Sequence, residues 1–145
     1  IVAALGEHLR VDDADLMSVF PTPEVIAGAD PTSFSMPQSR ASTMSRVAAA
    51  IAGGELRLDE ATDPEEARSA LLGIKGIGPW TADYVLMRGL GHPDVMLATD
   101  LGVARSAQDL RIELGDGSRW SPWSSYAVHH LWAAETPRPR RKEAS

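Results

Sequence analysis

The sequence of 145 residues contains no cysteine. Without thiols the chain can form no disulfide, no thiolate iron–sulfur cluster and no thiolate zinc site. It also lacks any apolar run approaching the roughly 20 residues that span a bilayer. Its first residues, IVAALGEHLR, have neither the basic segment nor the long apolar core of a signal peptide. These absences predict a protein with no membrane partner, and a cytoplasmic location fits them.

Basic residues are outnumbered by acidic ones. The chain has 14 Lys and Arg against 20 Asp and Glu, for a net charge of −6, which argues against nucleic acid as a first choice of partner. The acidic excess lies in residues 1–70, whereas residues 71–145 are close to neutral. Because the potential near the phosphates matters more than the total charge, an enzyme that grips DNA briefly need not be basic overall.

The apolar pattern along the chain is helical, and no segment is a convincing strand. Residues 36–54 predict a long helix with a stripe of apolar residues at helical spacing, ended by two glycines. Helix starts are predicted where a capping residue precedes proline, at Thr22, Asp63 and Ser121. Further helices are predicted over about 12–20, 79–90 and 101–114.

We therefore expect an all-α fold, a compact helical domain of about seven or eight helices over residues 1–136. The first nine residues begin without a cap, so we interpret them as the last turns of a longer helix and the chain as N-terminally incomplete. Residues 137–145 form a basic tail that ends in RPRRKEAS. This tail is interpreted as solvated, with an arm that contacts phosphate as the alternative.

Three glycines lie within six residues in the segment LLGIKGIGPWTADYVLMRGL, residues 71–90. Gly73 is predicted to end a helix in the left-handed conformation. Gly76 and Gly78 have no side chain to cover the backbone. Pro79 suits the first position of the next helix, because an N–H group there would have no partner within the helix. One interpretation is a helical hairpin whose glycines only permit close packing.

The alternative interpretation is an anion site. A loop that directs free N–H groups outward beside the positive end of a helix suits a phosphate oxygen. Lys75 adds a positive charge near this loop, and Thr81 offers a hydroxyl to the same anion or to the helix start.

A second candidate, Asp100, lies twenty residues beyond Trp80 at a predicted helix start. On local sequence alone, this aspartate is a helix N-cap. It follows the loop GHPDVMLATD, which contains glycine and proline, and it comes after the glycine hairpin.

The string Leu-x-Gly-Ile-x-Gly-Ile-Gly-x-x-Thr-Ala resembles the helix–hairpin–helix motif of DNA repair proteins. With the Gly/Pro loop and Asp100, the chain resembles the helix–hairpin–helix–Gly/Pro–Asp superfamily of base-excision glycosylases. Three segments, FPTPEVIAGADP, GIGPWTADYVLMRGLGHPDVMLATD and WSPWSSYAVHHLWAAE, are similar in the same order to its 3-methyladenine DNA glycosylase II branch, the AlkA-like enzymes.

The resemblance implies that the hairpin amides hold a DNA phosphate, with Gly73, Lys75, Gly76, Gly78 and Thr81 as the DNA-binding residues. It also implies a monovalent cation, Na⁺ or K⁺, on the backbone carbonyls of Leu72, Ile74 and Ile77. No other cofactor is expected.

In the same way, the resemblance implies that Asp100 is the catalytic carboxylate and Asp94 a less essential position of the pattern. Glycosylases that also nick the strand carry a lysine where this chain has Trp80, and an indole cannot attack the sugar. The chain thus resembles the monofunctional branch, which uses water as the nucleophile. The absence of cysteine separates it from the iron–sulfur members of the superfamily.

The chemistry of an alkylated purine suits this residue set. Methylation at N3 or N7 makes the base cationic and a good leaving group, so one carboxylate that stabilises the sugar cation and orients water is sufficient. Aromatic walls attract a flipped cationic base. Trp80 and Trp132 match aromatic pocket positions of the AlkA-like branch, and Tyr126 is a further candidate.

Several aromatic and imidazole side chains have plainer interpretations. Core packing remains an alternative for Trp132. Trp120 and Trp123, which flank a proline, are predicted to be core or staple residues. His129 and His130 lie on adjacent helix faces, so we interpret them as structural or surface residues and not as joint metal ligands.

The expected partner is double-stranded DNA with a flipped alkylated base, bound by a monomer associated with the nucleoid. AlkA-like enzymes have a helical region before the point where this chain begins, so we expect the 145 residues alone to bind DNA weakly and to excise little or nothing. Two other functions compete with this one: a non-catalytic helix–hairpin–helix DNA-binding module, and a helical interaction domain that does not bind DNA.

Overall fold

The computed structural model describes residues 1–9, 18–59 and 61–135. Within these ranges every regular element is a helix, apart from an isolated bridge between His8 and Ser18. The α-helices are α1 (Val2–Leu5), α2 (Pro23–Gly28), α3 (Gln38–Ala52), α4 (Pro64–Gly73), α5 (Pro79–Gly89), α6 (Leu101–Asp109) and α7 (Ser124–Ala133). Single 3₁₀ turns occupy Pro31–Ser33 and Ser118–Trp120. The predicted all-α fold is confirmed.

No helix of the described ranges is long and apolar enough to cross a membrane. Two sequence predictions fall wholly or largely outside these ranges, namely the helix over 12–20 and the basic tail at 137–145. Both stay predictions.

The chain divides into two compact units, Ile1–Ala82 and Asp83–Ser145, with the boundary inside α5. In the first unit α2 packs against α3. The core there consists of four buried residues on α2, α3 and the turn between them: Ile26, Phe34, Ala41 and Ala48. Part of the apolar stripe predicted on the long helix therefore packs in this core.

In the second unit α6 packs against α7. Each helix contributes small or branched apolar residues with almost no exposed surface, which allows the two backbones to approach closely: Val103 and Ala107 on α6, Val128 and Leu131 on α7. The expectation of one domain over residues 1–136 stays a prediction.

Most helix starts follow local sequence. The Asp63 carboxylate accepts hydrogen bonds from the N–H groups of Glu65 and Glu66, so the predicted cap of α4 is confirmed. Helix α2 begins at Pro23 directly after Thr22, as predicted.

Three boundaries differ from prediction. Helix α6 ends at Asp109, before the expected residue 114, and Arg111 follows in the left-handed conformation with φ 57°. Gly73 is the last residue of α4 and does not have a positive φ; the left-handed turn falls instead at Gly76. The third boundary is the start of α7.

Helix α7 begins at Ser124 and not at Pro122, so the prediction of Ser121 as its cap is wrong. The capping oxygen comes from a distant residue. Asp94 Oδ1 accepts hydrogen bonds from Ser124 N at 3.2 Å and Ser124 Oγ at 2.5 Å, and Asp94 Oδ2 accepts one from Ser121 Oγ at 2.6 Å. A cap thirty residues away along the chain leaves no local signal.

Candidate functional site

The hairpin between α4 and α5 is a tight turn over residues 74–78. The Ile74 N–H donates to Leu71 O at 3.0 Å and the Ile77 N–H donates to Ile74 O at 3.0 Å, so the turn is closed by its own backbone. Gly76 reverses the chain with φ 104°, a conformation that an L-residue rarely adopts. The positive φ explains why glycine is at this position.

The amides of Gly76 and Gly78 are directed to an exposed surface. In the described part of the chain neither N–H meets a protein acceptor, and both residues are exposed. They lie immediately before α5, whose N-terminus adds partial positive charge. Exposed donors at a helix start are the arrangement that binds an anion.

The other hairpin residues predicted to contact DNA surround these amides. Lys75 is exposed, and Gly73 closes α4 at an exposed position. Thr81 is half-buried in the first turn of α5, where it lines a cavity of about 470 Å³ together with Gly76 and residues of α3.

The carbonyls predicted to hold a monovalent cation belong to the same turn. One of them, Ile74 O, accepts the Ile77 amide, which leaves a second lone pair on that oxygen. Oxygen ligands of this kind suit an alkali cation. Among the described residues, no group of three or more His, Asp or Glu side chains is placed to hold a metal ion.

Asp100 is the residue before α6 and caps that helix. Its Oδ1 accepts the Val103 N–H at 3.0 Å, as an N-cap does. The same oxygen accepts the Trp132 Nε1–H at 2.9 Å from α7. The two donors fix the position of the carboxylate oxygen.

Two further aromatic rings pack against Trp132, the indole that donates to this carboxylate. The Tyr84 ring on α5 lies 6.1 Å from the Trp132 ring, and the His129 ring lies 5.5 Å from it, edge-on. Tyr84 was missed by sequence reasoning. Its signal is its position one helical turn after Trp80, where residues share a helix face.

A second carboxylate, Glu135, lies beside Asp100. A Cβ added to Gly102 would lie 2.8 Å from Glu135 Oε2, 3.2 Å from Asp100 Oδ1 and 3.3 Å from Trp132 Cδ1. A side chain at position 102 would therefore displace the end of Glu135 and crowd Asp100 and Trp132. Glu135 pairs with Arg105 at 3.7 Å, which offsets its charge near Asp100. Sequence reasoning missed this pair too, because Glu135 lies beyond the end of α7, where no helical spacing links it to α6.

Tyr126 lies in a different environment from the one expected. It lines an apolar cavity of about 450 Å³ that includes Trp120, Trp123 and His130, and its ring packs edge-on against Trp123 at 5.5 Å. Trp123 is 56% exposed, so of the two predicted roles the core role is wrong, and the staple role stays a prediction. The structure thus brings Trp132 to Asp100 and gathers Tyr126 with the other two tryptophans.

Trp80 is the second residue of α5 and belongs to the first unit. Its side chain is 40% exposed, which is unusual for an indole with only a structural role. The pocket role assigned to it from sequence stays a prediction.

A helical fold with a glycine hairpin that exposes amides, and an aspartate that starts a helix against an indole, defines the helix–hairpin–helix glycosylase class. No family model matches the chain. It is 39% identical over 138 residues to a probable bifunctional transcriptional activator/DNA repair enzyme AlkA of Mycobacterium tuberculosis, covering 91% of this chain and 28% of that protein. It is 36% identical over 139 residues to DNA-3-methyladenine glycosylase 2 of Escherichia coli, covering 90% of this chain and 48% of that protein.

Solved structures agree with these relatives. A 3-methyladenine DNA glycosylase from Archaeoglobus fulgidus matches with a TM-score of 0.74 and 27% identity, over 92% of this chain and 48% of that chain. An 8-oxoguanine glycosylase/lyase from Clostridium acetobutylicum, solved with double-stranded DNA, matches with a TM-score of 0.74 and 18% identity over 91% of this chain and 49% of that chain, which shows the fold alone.

The chain is therefore a homologue of the AlkA-like 3-methyladenine DNA glycosylases and has the helix–hairpin–helix glycosylase fold. It spans about half the length, or less, of the curated relatives that it matches.

Proposed function

We propose that this chain forms the hairpin and carboxylate part of a monofunctional DNA glycosylase, which hydrolyses the N-glycosidic bond of alkylated purines such as 3-methyladenine and 7-methylguanine. The observation that carries the proposal is the Asp100 carboxylate, held at 2.9 Å by the indole N–H of Trp132 at the start of α6. The names of the relatives support the substrate class.

The reaction needs one ionised carboxylate. The C1′–N bond of the cationic nucleotide breaks with both electrons leaving on the base, which becomes neutral. Asp100 stabilises the positive charge that develops on the sugar. It then accepts a proton from the water whose oxygen bonds to C1′. Because the leaving base is already cationic, no strong general acid is required.

The hairpin supplies the grip on DNA. The exposed amides of Gly76 and Gly78 bind one phosphate oxygen beside the start of α5, and Lys75 adds charge. The substrate is duplex DNA whose alkylated base has left the stack, because the base must reach the carboxylate. We further propose that the protein works as a monomer on DNA in the nucleoid. The names of the relatives, a DNA repair enzyme and a DNA glycosylase, support DNA as the partner.

We also propose that Na⁺ or K⁺ binds the carbonyls of Leu72, Ile74 and Ile77 and neutralises part of the phosphate charge. Replacing K⁺ by the bulky tetramethylammonium ion at constant ionic strength should then weaken duplex binding. Equal binding in the two salts would contradict a cation at these carbonyls.

Release of 3-methyladenine and 7-methylguanine from alkylated duplex DNA tests the proposal, with the full-length protein as wild type and as Asp100→Asn. We expect release by the wild type, and a loss of about 100-fold or more in the variant while duplex binding survives. Binding without release by both proteins would indicate a non-catalytic DNA-binding module. Absence of binding would indicate a helical interaction domain.

A further inference from the structure

The carbonyl of Lys75, at the tip of the hairpin, is turned toward helix α3. Arg46 Nη1 donates to this oxygen at 3.0 Å. The Thr43 hydroxyl, which donates to Ser39 O at 2.9 Å within α3, also lies 3.4 Å from Lys75 O. Two side chains from successive turns of one helix therefore hold one hairpin carbonyl.

The hairpin rests directly on α3 at this point. A Cβ added to Gly76 would overlap the Thr43 hydroxyl, so the backbone approaches α3 as closely as a glycine permits. The Lys75–Gly76 peptide is therefore held by a hydrogen bond on its carbonyl and by contact on its Gly76 side.

The direction of this carbonyl determines the direction of an amide. In a planar trans peptide the C=O and N–H groups point to opposite sides. Because Lys75 O points toward α3, the N–H of Gly76 in the same peptide unit points away from α3, to the exposed side. That amide is one of the two that bind phosphate in the proposed function, on which this inference rests.

We propose that Arg46 is a positioning residue for DNA binding, which aims the Gly76 amide at the phosphate by holding the Lys75 carbonyl. A charged donor suits the task, because guanidinium hydrogen bonds are stronger than neutral ones and direct the acceptor. Loss of the bond leaves only Thr43 against this peptide, which can then tilt, since glycine tolerates many backbone conformations.

The competing explanation is direct attraction between the exposed Arg46 side chain and DNA. The two explanations differ in their salt dependence. Each phosphate that a side chain neutralises contributes about 0.9 to the slope of log affinity against log salt, whereas a residue that only aims an uncharged amide contributes nothing.

The experiment measures binding of the chain to a short duplex at several salt concentrations, for the wild type and Arg46→Met. We expect affinity to fall about tenfold with an unchanged salt slope, since one charge-assisted hydrogen bond is lost. Arg57→Met is the control, because it removes the same charge from an exposed side chain that pairs with Asp59 and not with the hairpin. It should leave the amide direction intact.

A second readout follows the amides themselves. In nitrogen–proton correlation spectra of the wild type, the Gly76 resonance should shift on addition of duplex DNA. Arg46→Met should reduce that shift to less than half, whereas Arg57→Met should not. These spectra also show whether each variant is folded.

A slope that falls by about 0.9 in Arg46→Met would overturn the inference in favour of direct phosphate contact. Unchanged affinity would overturn it as well. If the wild type bound no duplex in either assay, the proposed function would fail, and this inference with it.

Discussion

At the scale of single residues, the position of Asp100 as a helix cap is compatible with the catalytic role proposed for its carboxylate. A cap requires an oxygen that accepts from the helix amides, which an ionised carboxylate provides, and the proposed chemistry requires the ionised carboxylate. The indole of Trp132 donates to the oxygen that caps α6. Trp132 is therefore more than an aromatic wall, because its N–H also fixes the carboxylate.

Trp132→Phe tests that second role, because it keeps an aromatic ring and removes the N–H donor. We expect base release by the full-length protein to slow by about 10-fold or more, since a hydrogen bond to a charged group is worth about 1.5–3 kcal/mol. Trp123→Phe is the matched control, and equal rates for the two variants would contradict the role.

Gly76 and Gly78 form a natural pair for comparing backbone strain. Gly76→Ala combines φ 104° with overlap against Thr43, whereas Gly78 has no positive φ and open space where a Cβ would be added. We expect Gly76→Ala to lower the free energy of unfolding by about 1–3 kcal/mol and Gly78→Ala by less than about 0.5 kcal/mol. Urea denaturation measures both, and similar losses at the two positions would contradict the assignment.

At the scale of elements, the start of α7 depends on the loop that carries Asp94. The hydroxyl of Ser121 and then that of Ser124 hold the pKa of the Asp94 carboxyl below its ordinary value, although desolvation opposes them. The Ser125 hydroxyl adds a hydrogen bond to His92 O at 2.6 Å and accepts one from Val95 N at 3.0 Å. The loop and α7 thus form one hydrogen-bonded element, and Trp132 lies on it.

The lowered pKa of Asp94 predicts a pH dependence of stability. A carboxyl whose pKa is lower in the folded state stabilises the fold fully above its unfolded pKa of about 3.9, and the contribution disappears as pH falls through the folded value. The difference in unfolding free energy between wild type and Asp94→Asn should therefore be constant above about pH 5 and shrink below about pH 4.

Urea titrations at several pH values measure that difference. Asp116→Asn is a useful comparison, because hydrogen bonds from Ser118 lower the pKa of Asp116 within one local turn and not between distant segments. A difference for Asp94→Asn that grew as the solution became more acidic would contradict the sign of the effect.

At the scale of the whole molecule, the net charge of −6 limits how DNA is bound. Because acidic residues outnumber basic ones, the protein offers few positive charges with which to neutralise phosphates. We therefore expect the salt slope of duplex binding to be shallower than the value of about −5 to −9 that six to ten phosphate contacts would give. Binding measured at several salt concentrations between ~0.05 and ~0.2 M checks this, because the effect of counterion release on affinity is seen over that range. A slope steeper than about −5 would contradict DNA binding that depends mainly on the hairpin amides.

Much of the fold followed from local sequence, because its signals act over a few residues. Asp63 before Pro64 began α4, and the glycine string placed a turn between α4 and α5. Helix α6 was predicted too long, because the left-handed Arg111 that follows its end has no signature of its own. Predictions failed most clearly at α7, where the capping group comes from Asp94.

The sequence by itself determined the all-α fold, the hairpin, the Asp100 cap and the likeness to glycosylases, since each depends on residues close together in the chain. Only the tertiary structure decided which side chains meet. It joined Trp132 and Glu135 to Asp100, placed Tyr126 with Trp120 and Trp123, and turned the Lys75 carbonyl toward Arg46. These contacts join residues about thirty positions apart or lie on unexpected helix faces, and no local pattern encodes how two helices pack.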